Sequence, residues 1–76
     1  MFKVLILNPR HTFYEGEAWS VSLPGEQGML EILDYHHNII TLLGEGEITI
    51  DWKVHLPIRK GLAKFYHNEL VVLVEE

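Results

Sequence analysis

The sequence predicts an all-β fold, a two-layer β-sandwich of about ten short strands, from two observations. Pairs of turn-forming residues such as Asn8-Pro9 and Pro24-Gly25 recur along the chain at intervals of about ten residues. The runs between them are rich in Val, Ile, Leu, Phe, Tyr and Trp, and several alternate apolar and polar residues with the period of two that is typical of a strand. The 76 residues suffice for one domain, which we assign to residues 1–76.

Eight of the apolar runs are assigned as strands. They cover residues 2–8, 11–14, 17–23, 29–33, 47–52, 53–58, 62–66 and 69–75. The segment from Asn38 to Leu43 is ambiguous, because six residues are too few for periodicity to distinguish a strand from a helical turn. A helix here would begin with Asn38 as its cap and end at Gly44.

Alternation within two of the runs assigns side chains to the core. In the run from Ala18 to Leu23 one face carries Trp19, Val21 and Leu23. In the run from Glu47 to Trp52 one face carries Ile48, Ile50 and Trp52. Serines occupy the opposite face of the first run, which makes the apolar face the buried one. The residues that we predict in the core are Trp19, Val21, Ile48, Ile50 and Leu70.

The first and last strands differ from the others, because both of their faces are apolar. The first strand carries Phe2, Val4 and Ile6 on one face and Leu5 and Leu7 on the other. The last strand repeats the pattern with Leu70, Val72 and Val74 opposite Val71 and Leu73. Two interpretations of the second face stay open. Either both strands are central and covered within the domain, or the second face is exposed and forms an interface.

Composition excludes several classes of function. The formal charge is −5 with only six Lys and Arg residues, which argues against a nucleic-acid partner. Cysteine is absent, so the chain has no disulfides and no thiolate metal ligands. No stretch approaches the roughly 20 apolar residues that a membrane helix needs. We also expect no signal peptide, because the first apolar run is too short.

One cluster, Asp34-Tyr35-His36-His37, has residue types that bind zinc. A zinc site needs three or four convergent ligands, however, and two adjacent histidines of an extended segment point to opposite faces. A solvated loop with one hydrogen-bonded histidine is the favoured interpretation. The chain contains no phosphate-binding loop and no nucleophile elbow, and its acidic pairs lie beside glycines in turns. We therefore predict no enzymatic activity, no catalytic residue, no cofactor and no metal site.

Several motifs occur in the order that is typical of one known family. They are Asn8-Pro9, Tyr14-Glu15-Gly16, Val21-Ser22-Leu23-Pro24-Gly25 with Gly28, Leu33 and His36, Ile48-Thr49-Ile50 after Gly46, Gly61-Leu62, and Asn68-Glu69-Leu70-Val71-Val72-Leu73. In these motifs the chain resembles the N-terminal β-domain of the epsilon subunit of F-type ATP synthases. It departs from the family at Glu31, Asp34, Tyr35, Asn38 and Lys60, where the family has glycine or proline, and the turn between Ile50 and Leu56 is shorter.

The resemblance implies a β-sandwich fold and a non-catalytic role in the central stalk. It implies that the chain binds the gamma subunit and the c-ring, and so couples proton (or ion) translocation to ATP synthesis. It also implies a peripheral location at the cytoplasmic face of the inner (plasma) membrane. The family's C-terminal helical hairpin, which binds ATP, has no counterpart before Glu76, so we expect no nucleotide binding. The alternative is a divergent epsilon-like protein or an unrelated β-sandwich adaptor.

The segment from Gly28 to His36 corresponds to the loop of the family that faces the ring. The resemblance therefore implies that the c-ring contacts are Met29, Leu30, Glu31 and His36. Methionine is an adaptable residue at interfaces, and Glu31 can pair with basic residues of the ring. In the alternative, Met29 and Leu30 turn inward to the core and His36 only braces the loop.

Overall fold

The computed structural model describes all 76 residues and contains nine β-strands and no helix. The strands are β1 (Phe2–Leu7), β2 (Thr12–Ala18), β3 (Ser20–Gly25), β4 (Gly28–Leu33), β5 (Ile39–Leu43), β6 (Gly46–Ile50), β7 (Val54–Ile58), β8 (Lys60–Tyr66) and β9 (Glu69–Glu75). The all-β prediction is confirmed. No helix is long and apolar enough to cross a membrane.

The nine strands form one hydrogen-bonded sheet that bends back on itself. The order is β2-β1-β9-β8-β5-β3-β6-β7, and β4 pairs with the other edge of β3. Strand β1 runs parallel to β9, whereas the remaining pairs are antiparallel. Between β3 and β5 the register contains a single pair, Gly25 with Leu43, so the sheet is least continuous there. On either side of this joint lie two layers, β2-β1-β9-β8-β5 and β4-β3-β6-β7.

One apolar core fills the space between the two layers. Sixteen buried residues, drawn from both layers, form a single cluster. Within it the rings of Phe2 and Phe65 meet edge to face, with their centroids 5.5 Å apart. Along β9 the burial alternates strictly, because successive side chains of a strand point to opposite faces. The predicted core positions of Val21, Ile48 and Ile50 are confirmed, as is that of Leu70, all at most 1% exposed.

The predicted core position of Trp19 is wrong. Its side chain is 60% exposed, because it lies in the bend between β2 and β3, where the alternation of the two strands is interrupted. Ala18 takes the last core position of β2 and Val21 takes the core position in β3. Trp52, expected on the face of Ile50, is 68% exposed, since it follows the end of β6 in a turn with a positive φ of 59°.

The ambiguous segment is a strand, and its partner explains why. All five residues of β5 pair with β8, from Ile39 with Phe65 to Leu43 with Gly61. A helical turn over Asn38–Leu43 would leave those backbone groups of β8 without partners, which is costly at a half-buried position. Long-range pairing therefore decides a segment that local periodicity does not.

Candidate functional site

The outward-facing side of the β1, β9, β8 and β5 layer carries a continuous row of leucines. The strand register places Leu7 beside Leu73, Leu73 beside Leu62, and Leu62 beside Leu42. These pairs come from four neighbouring strands, so the row crosses the layer from β1 to β5. Leu42, Leu62 and Leu73 are 55%, 38% and 49% exposed. The row is therefore an apolar surface that the domain itself does not cover.

A second row lies beside the first and widens the surface. It pairs Leu5 with Val71, Val71 with Lys64, and Lys64 with Ile40. Together the apolar members form what we call the outer apolar face: Leu5, Leu7, Ile40, Leu42, Leu62, Val71 and Leu73. The interpretation that both faces of the first and last strands are covered within the domain is wrong. Contiguous exposed apolar patches are common at protein–protein interaction sites.

Charged pairs border the outer apolar face at both ends. Lys3 lies 3.8 Å from Glu69 at one end. Arg59 and Lys60 lie 3.3 Å and 3.7 Å from Glu75 at the other. All five side chains are more than half exposed, and such surface pairs contribute little to folding stability. An apolar centre with a polar rim is the usual composition of a protein–protein interface.

The β4 strand carries three of the four residues that the sequence assigned to a ring contact. Met29 is 67% exposed, and Glu31 lies exposed on the same outward side of β4. Leu30 alternates to the other side and packs against the core. The Ser20 hydroxyl donates to Glu31 Oε2 at 3.0 Å, which draws the carboxylate towards β3. Met29 and Glu31 can therefore meet a partner through one surface, whereas Leu30 supports them from beneath.

His36 lies beyond the opposite end of β4 from Met29. Its ring is half-buried and meets Phe65 edge to face at 5.9 Å. Its Nδ1 lies 2.8 Å from the carbonyl oxygen of His37, and its amide donates to the carbonyl of Leu33 at 3.0 Å. The structure therefore brings Met29 and Glu31 together but does not bring His36 to them. Contact of these residues with a ring stays a prediction.

Asp34 anchors the connection between β4 and β5 to the turn between β8 and β9. Its Oδ1 accepts from Asn68 Nδ2 at 2.8 Å, and its Oδ2 accepts from the Met1 amine at 2.9 Å. The hydrogen bond from Asn68, and then that from the amine, hold the pKa of Asp34 below its ordinary value. Asn68 Oδ1 in turn accepts the Tyr35 amide at 2.7 Å. No group of three or more potential metal ligands converges here or elsewhere in the structure.

One end of the sandwich exposes aromatic residues that sequence patterning missed. Asp51 Oδ1 accepts the amides of Trp19 at 2.6 Å and Ser20 at 3.0 Å, which fixes the bend beside the β6–β7 turn. Trp52 and Tyr35, 68% and 84% exposed, both adopt positive φ in turns at this end. One sequence feature could have predicted that Trp52 is exposed in a turn: Asp51, a common turn residue, directly follows Ile50, the last residue of the alternating run.

The remaining surface offers little for a small ligand. The surface depressions are open to solvent, and no buried polar side-chain atom lacks a hydrogen-bond partner. Ligand pockets usually enclose most of their ligand and present a few convergent polar groups. The outer apolar face and the outward side of β4 are therefore the two candidate functional surfaces, and both suit a protein partner.

Comparison with known proteins gives a family. The family model described as ATP synthase, delta/epsilon chain, β-sandwich domain matches residues 1–76. The ATP synthase epsilon chain of Sulfurimonas denitrificans is 39% identical over 77 residues, which cover 96% of this chain and 59% of the relative. The epsilon chain of Helicobacter pylori strain 26695 is 35% identical over 78 residues, covering 99% and 63%. This chain thus spans about six tenths of the length of these relatives.

Two solved structures share the fold. A chain in the central stalk and c-ring of the Tetrahymena thermophila mitochondrial ATP synthase superposes with a TM-score of 0.81 at 14% identity, covering 97% of this chain and 63% of that chain. A chain in the Euglena gracilis mitochondrial ATP synthase OSCP/F1/c-ring structure superposes with a TM-score of 0.87 at 11% identity, covering 96% and 49%. At such identities the likeness concerns the fold, and the β-sandwich prediction is confirmed.

Proposed function

This chain belongs to the family of ATP synthase delta and epsilon chain β-sandwich domains, and from that premise we propose that it is a non-catalytic central-stalk subunit of an F-type ATP synthase. In this role it binds the gamma subunit and the c-ring, and it couples proton (or ion) translocation to ATP synthesis. It lies peripherally at the cytoplasmic face of the inner (plasma) membrane. The single observation that carries the proposal is the outer apolar face on a domain whose core is already complete.

A stalk subunit must pass force between its partners without deforming. The single core of 16 residues and the 47 backbone hydrogen bonds make this domain one closely packed body. Its partners must also hold it firmly, which requires apolar area that is free to be buried on assembly. The outer apolar face provides that area, and we assign it to the gamma subunit.

The second partner needs a second surface. Met29 and Glu31 lie on β4, in the layer that does not contribute to the outer apolar face. We assign the c-ring contact to this outward side of β4, with Leu30 supporting it from the core side and His36 bracing the turn that follows. Two surfaces on different layers allow the subunit to hold both partners at once.

The gamma assignment is tested by placing a charge in the outer apolar face. Leu73→Asp should weaken binding to a purified gamma subunit at least about tenfold, because a carboxylate would be buried in an apolar contact. The matched control is Trp52→Asp, which alters an exposed apolar side chain at the aromatic end of the sandwich. Equal losses in both variants, or no loss in either, would contradict the assignment.

The ring assignment is tested by reversing the charge of Glu31. We expect Glu31→Lys to reduce coupled proton pumping in reconstituted membranes and to leave gamma binding intact. The control is Ser20→Ala, which removes the hydrogen bond to Glu31 Oε2 without changing charge. If Glu31→Lys lowers both proton pumping and gamma binding, the substitution has damaged the fold. If it lowers neither, Glu31 does not contact the ring.

The proposal includes the absence of nucleotide binding by this chain. Titration with ATP at micromolar concentration in a calorimeter should give no saturable heat. The divergent-relative alternative makes a different prediction for the gamma subunit, since an epsilon-like protein of another assembly would fail to retain gamma in a pull-down. Retention of gamma that Leu73→Asp abolishes would favour the central-stalk role.

A further inference from the structure

The sheet ends in three edge strands, each of which pairs with one neighbour only. Strand β2 pairs with β1, β4 with β3, and β7 with β6. The free side of an edge strand presents backbone N–H and C=O groups that can pair with a strand of another chain. Proteins usually blunt such edges with charges, prolines or irregular geometry, so an edge without these devices is informative.

Two of the three edges are blunted. Strand β2 carries Glu15 and Glu17 around Gly16, and the register of its pairing with β1 shifts between Ile6 and Leu7. Strand β7 contains Pro57, which has no N–H to donate. These features discourage the addition of a further strand at either position.

The β4 edge has only one of these features, a single charge. Its sequence, Gly-Met-Leu-Glu-Ile-Leu, contains no proline and no basic residue, and its only charge is Glu31. The bond from the Ser20 hydroxyl holds Glu31 Oε2 towards β3, so the charge is drawn away from the free edge. The six residues are paired on the β3 side without a register shift, which makes the strand a regular template.

We propose that the free edge of β4 is a docking site for an extended segment of a partner protein, which adds to the sheet as a further strand. The outward side chains define its chemistry. Met29 and Leu33, 67% and 47% exposed, flank Glu31 at alternate positions. A complementary strand carries a basic residue between two apolar residues at alternate positions, so that its charge lies opposite Glu31. Glu31 Oε1 makes no hydrogen bond within the domain and is available to that basic side chain.

A second copy of this chain is a poor occupant of the same edge. The antiparallel register that places Met29 of one copy opposite Leu33 of the other also places Glu31 opposite Glu31. Like charges directly opposite each other destabilise a strand pair. A different polypeptide with a basic residue at that position avoids this cost.

A groove continues from the β4 edge and suits an apolar side chain of the added segment. It lies between the β3–β4 turn and β5, and its lining includes Gly28, Met29, Leu30, Ile40 and Leu42. Ile40 and Leu42 also belong to the outer apolar face. The groove therefore connects the β4 edge to that face, although the strand-addition proposal does not depend on what the face binds.

The test uses the complete chain labelled with ¹⁵N and a capped synthetic peptide, Thr-Leu-Thr-Lys-Thr-Leu-Thr. We expect saturable shift changes of the β4 amides, with slowed hydrogen exchange at Met29, Glu31 or Leu33. The matched peptide with Glu in place of Lys should bind at least about fivefold more weakly than the Lys peptide. Changes at β2 or β7, equal binding of the two peptides, or no saturable change would overturn the proposal. Slowed exchange that depends on protein concentration without peptide would assign the edge to a second copy instead.

A charge-swap variant carries its own control, because the affinities of the two peptides are compared on the same protein and a general loss of structure would weaken both. In Glu31→Lys the preference should invert, so that the Glu peptide binds about fivefold more tightly than the Lys peptide. An unchanged preference would show that Glu31 does not face the added strand. Gamma binding and proton pumping are measured separately, so failure here is distinct from failure of the central-stalk proposal.

Discussion

The inner and outer faces of strands β1 and β9 both carry aliphatic residues, but only those of the inner face are fully buried. Val4 and Val72, on the inner face, are 2% and 0% exposed. Val71 and Leu73, on the outer face of β9, are 37% and 49% exposed. Two sets of equally apolar residues on the same strands therefore serve different purposes. The inner set stabilises the fold, whereas the outer set is available to stabilise an assembly.

The difference follows from the layers and not from the residues. The inner face meets the β4-β3-β6-β7 layer across the core, and no element of this chain lies over the outer face. Substitutions on the inner face should therefore cost folding free energy, and those on the outer face should leave it nearly unchanged. Substitutions in the core, and then on the outer apolar face and at the turns, distinguish the two kinds of face.

The largest effect is expected in the centre of the core. Phe65→Ala should lower the free energy of unfolding by about 3–5 kcal/mol, because it leaves a cavity beside Phe2 and removes an edge-to-face contact. Urea denaturation followed by circular dichroism measures the loss. Should the variant fail to fold, Phe65→Leu provides a milder truncation at the same site. A loss below about 1 kcal/mol for Phe65→Ala would be inconsistent with a buried ring.

The sharpest form of the comparison uses two neighbouring valines of β9. Val72→Ala should cost about 1–3 kcal/mol of folding free energy, because the side chain is fully buried. Val71→Ala should cost less than about 0.5 kcal/mol, since its side chain lies on the outer apolar face. Chemical denaturation of both variants gives the two values. Equal costs would mean that the outer face is covered within the folded domain.

A smaller effect is expected at the turn that positions the two tryptophans. Asp51→Ala should lower stability by about 1 kcal/mol, because it removes the acceptor for the amides of Trp19 and Ser20. Asp51→Asn keeps an acceptor oxygen and tolerates the positive φ of 51°, so its cost should be lower. Thermal unfolding gives the ranking, and tryptophan fluorescence should report the change at Trp19. An equal loss in both variants would indicate that the carboxylate charge matters and the geometry does not.

The smallest effect concerns acid stability at the link between Asp34 and Asn68. The folded state lowers the pKa of Asp34, so the ionised side chain stabilises the fold above the ordinary pKa of 3.8. That contribution should be lost as the pH falls below 3.8 through the lowered pKa. Asn68→Ala removes the largest cause of the shift, so stability should decline less steeply with acid than in the parent chain. Parallel acid titrations by circular dichroism test this, and identical slopes would exclude a role for the link.

Local sequence patterns predicted the strands well because they record backbone geometry. Each of the eight assigned runs overlaps a strand of the structure, but the bounds of 11–14 and 17–23 are wrong, because β2 continues from Thr12 to Ala18 and β3 begins only at Ser20. His67 and Asn68 both adopt positive φ in the turn between β8 and β9. Val21, Ile48 and Ile50 were assigned correctly to the core, since alternation continues undisturbed through their strands. The order of the turn and strand motifs was also enough to identify the family.

The failures occur where alternation meets a turn or a distant partner. Trp19 and Trp52 continue the apolar pattern in sequence, but the bend after Ala18 and the turn at Asp51 direct both side chains to solvent. Neither bend is encoded by the period of two. Met29 and His36, both assigned to the ring contact, lie towards opposite ends of β4 and do not form one cluster, and their contact with a ring stays a prediction.

The sequence by itself determined most of the extended segments, the residues that share a face within an uninterrupted strand, and the family to which the chain belongs. These properties depend on side-chain spacing along a strand, which is local. Only the tertiary structure decided that Ile39–Leu43 pairs with β8, that Leu73 and its neighbours lie uncovered, and that β4 has a free and regular edge. Those properties depend on which strands become neighbours. The free energy gained when one strand face is buried depends on residues that are distant in sequence, so a local sequence pattern cannot predict which face is covered.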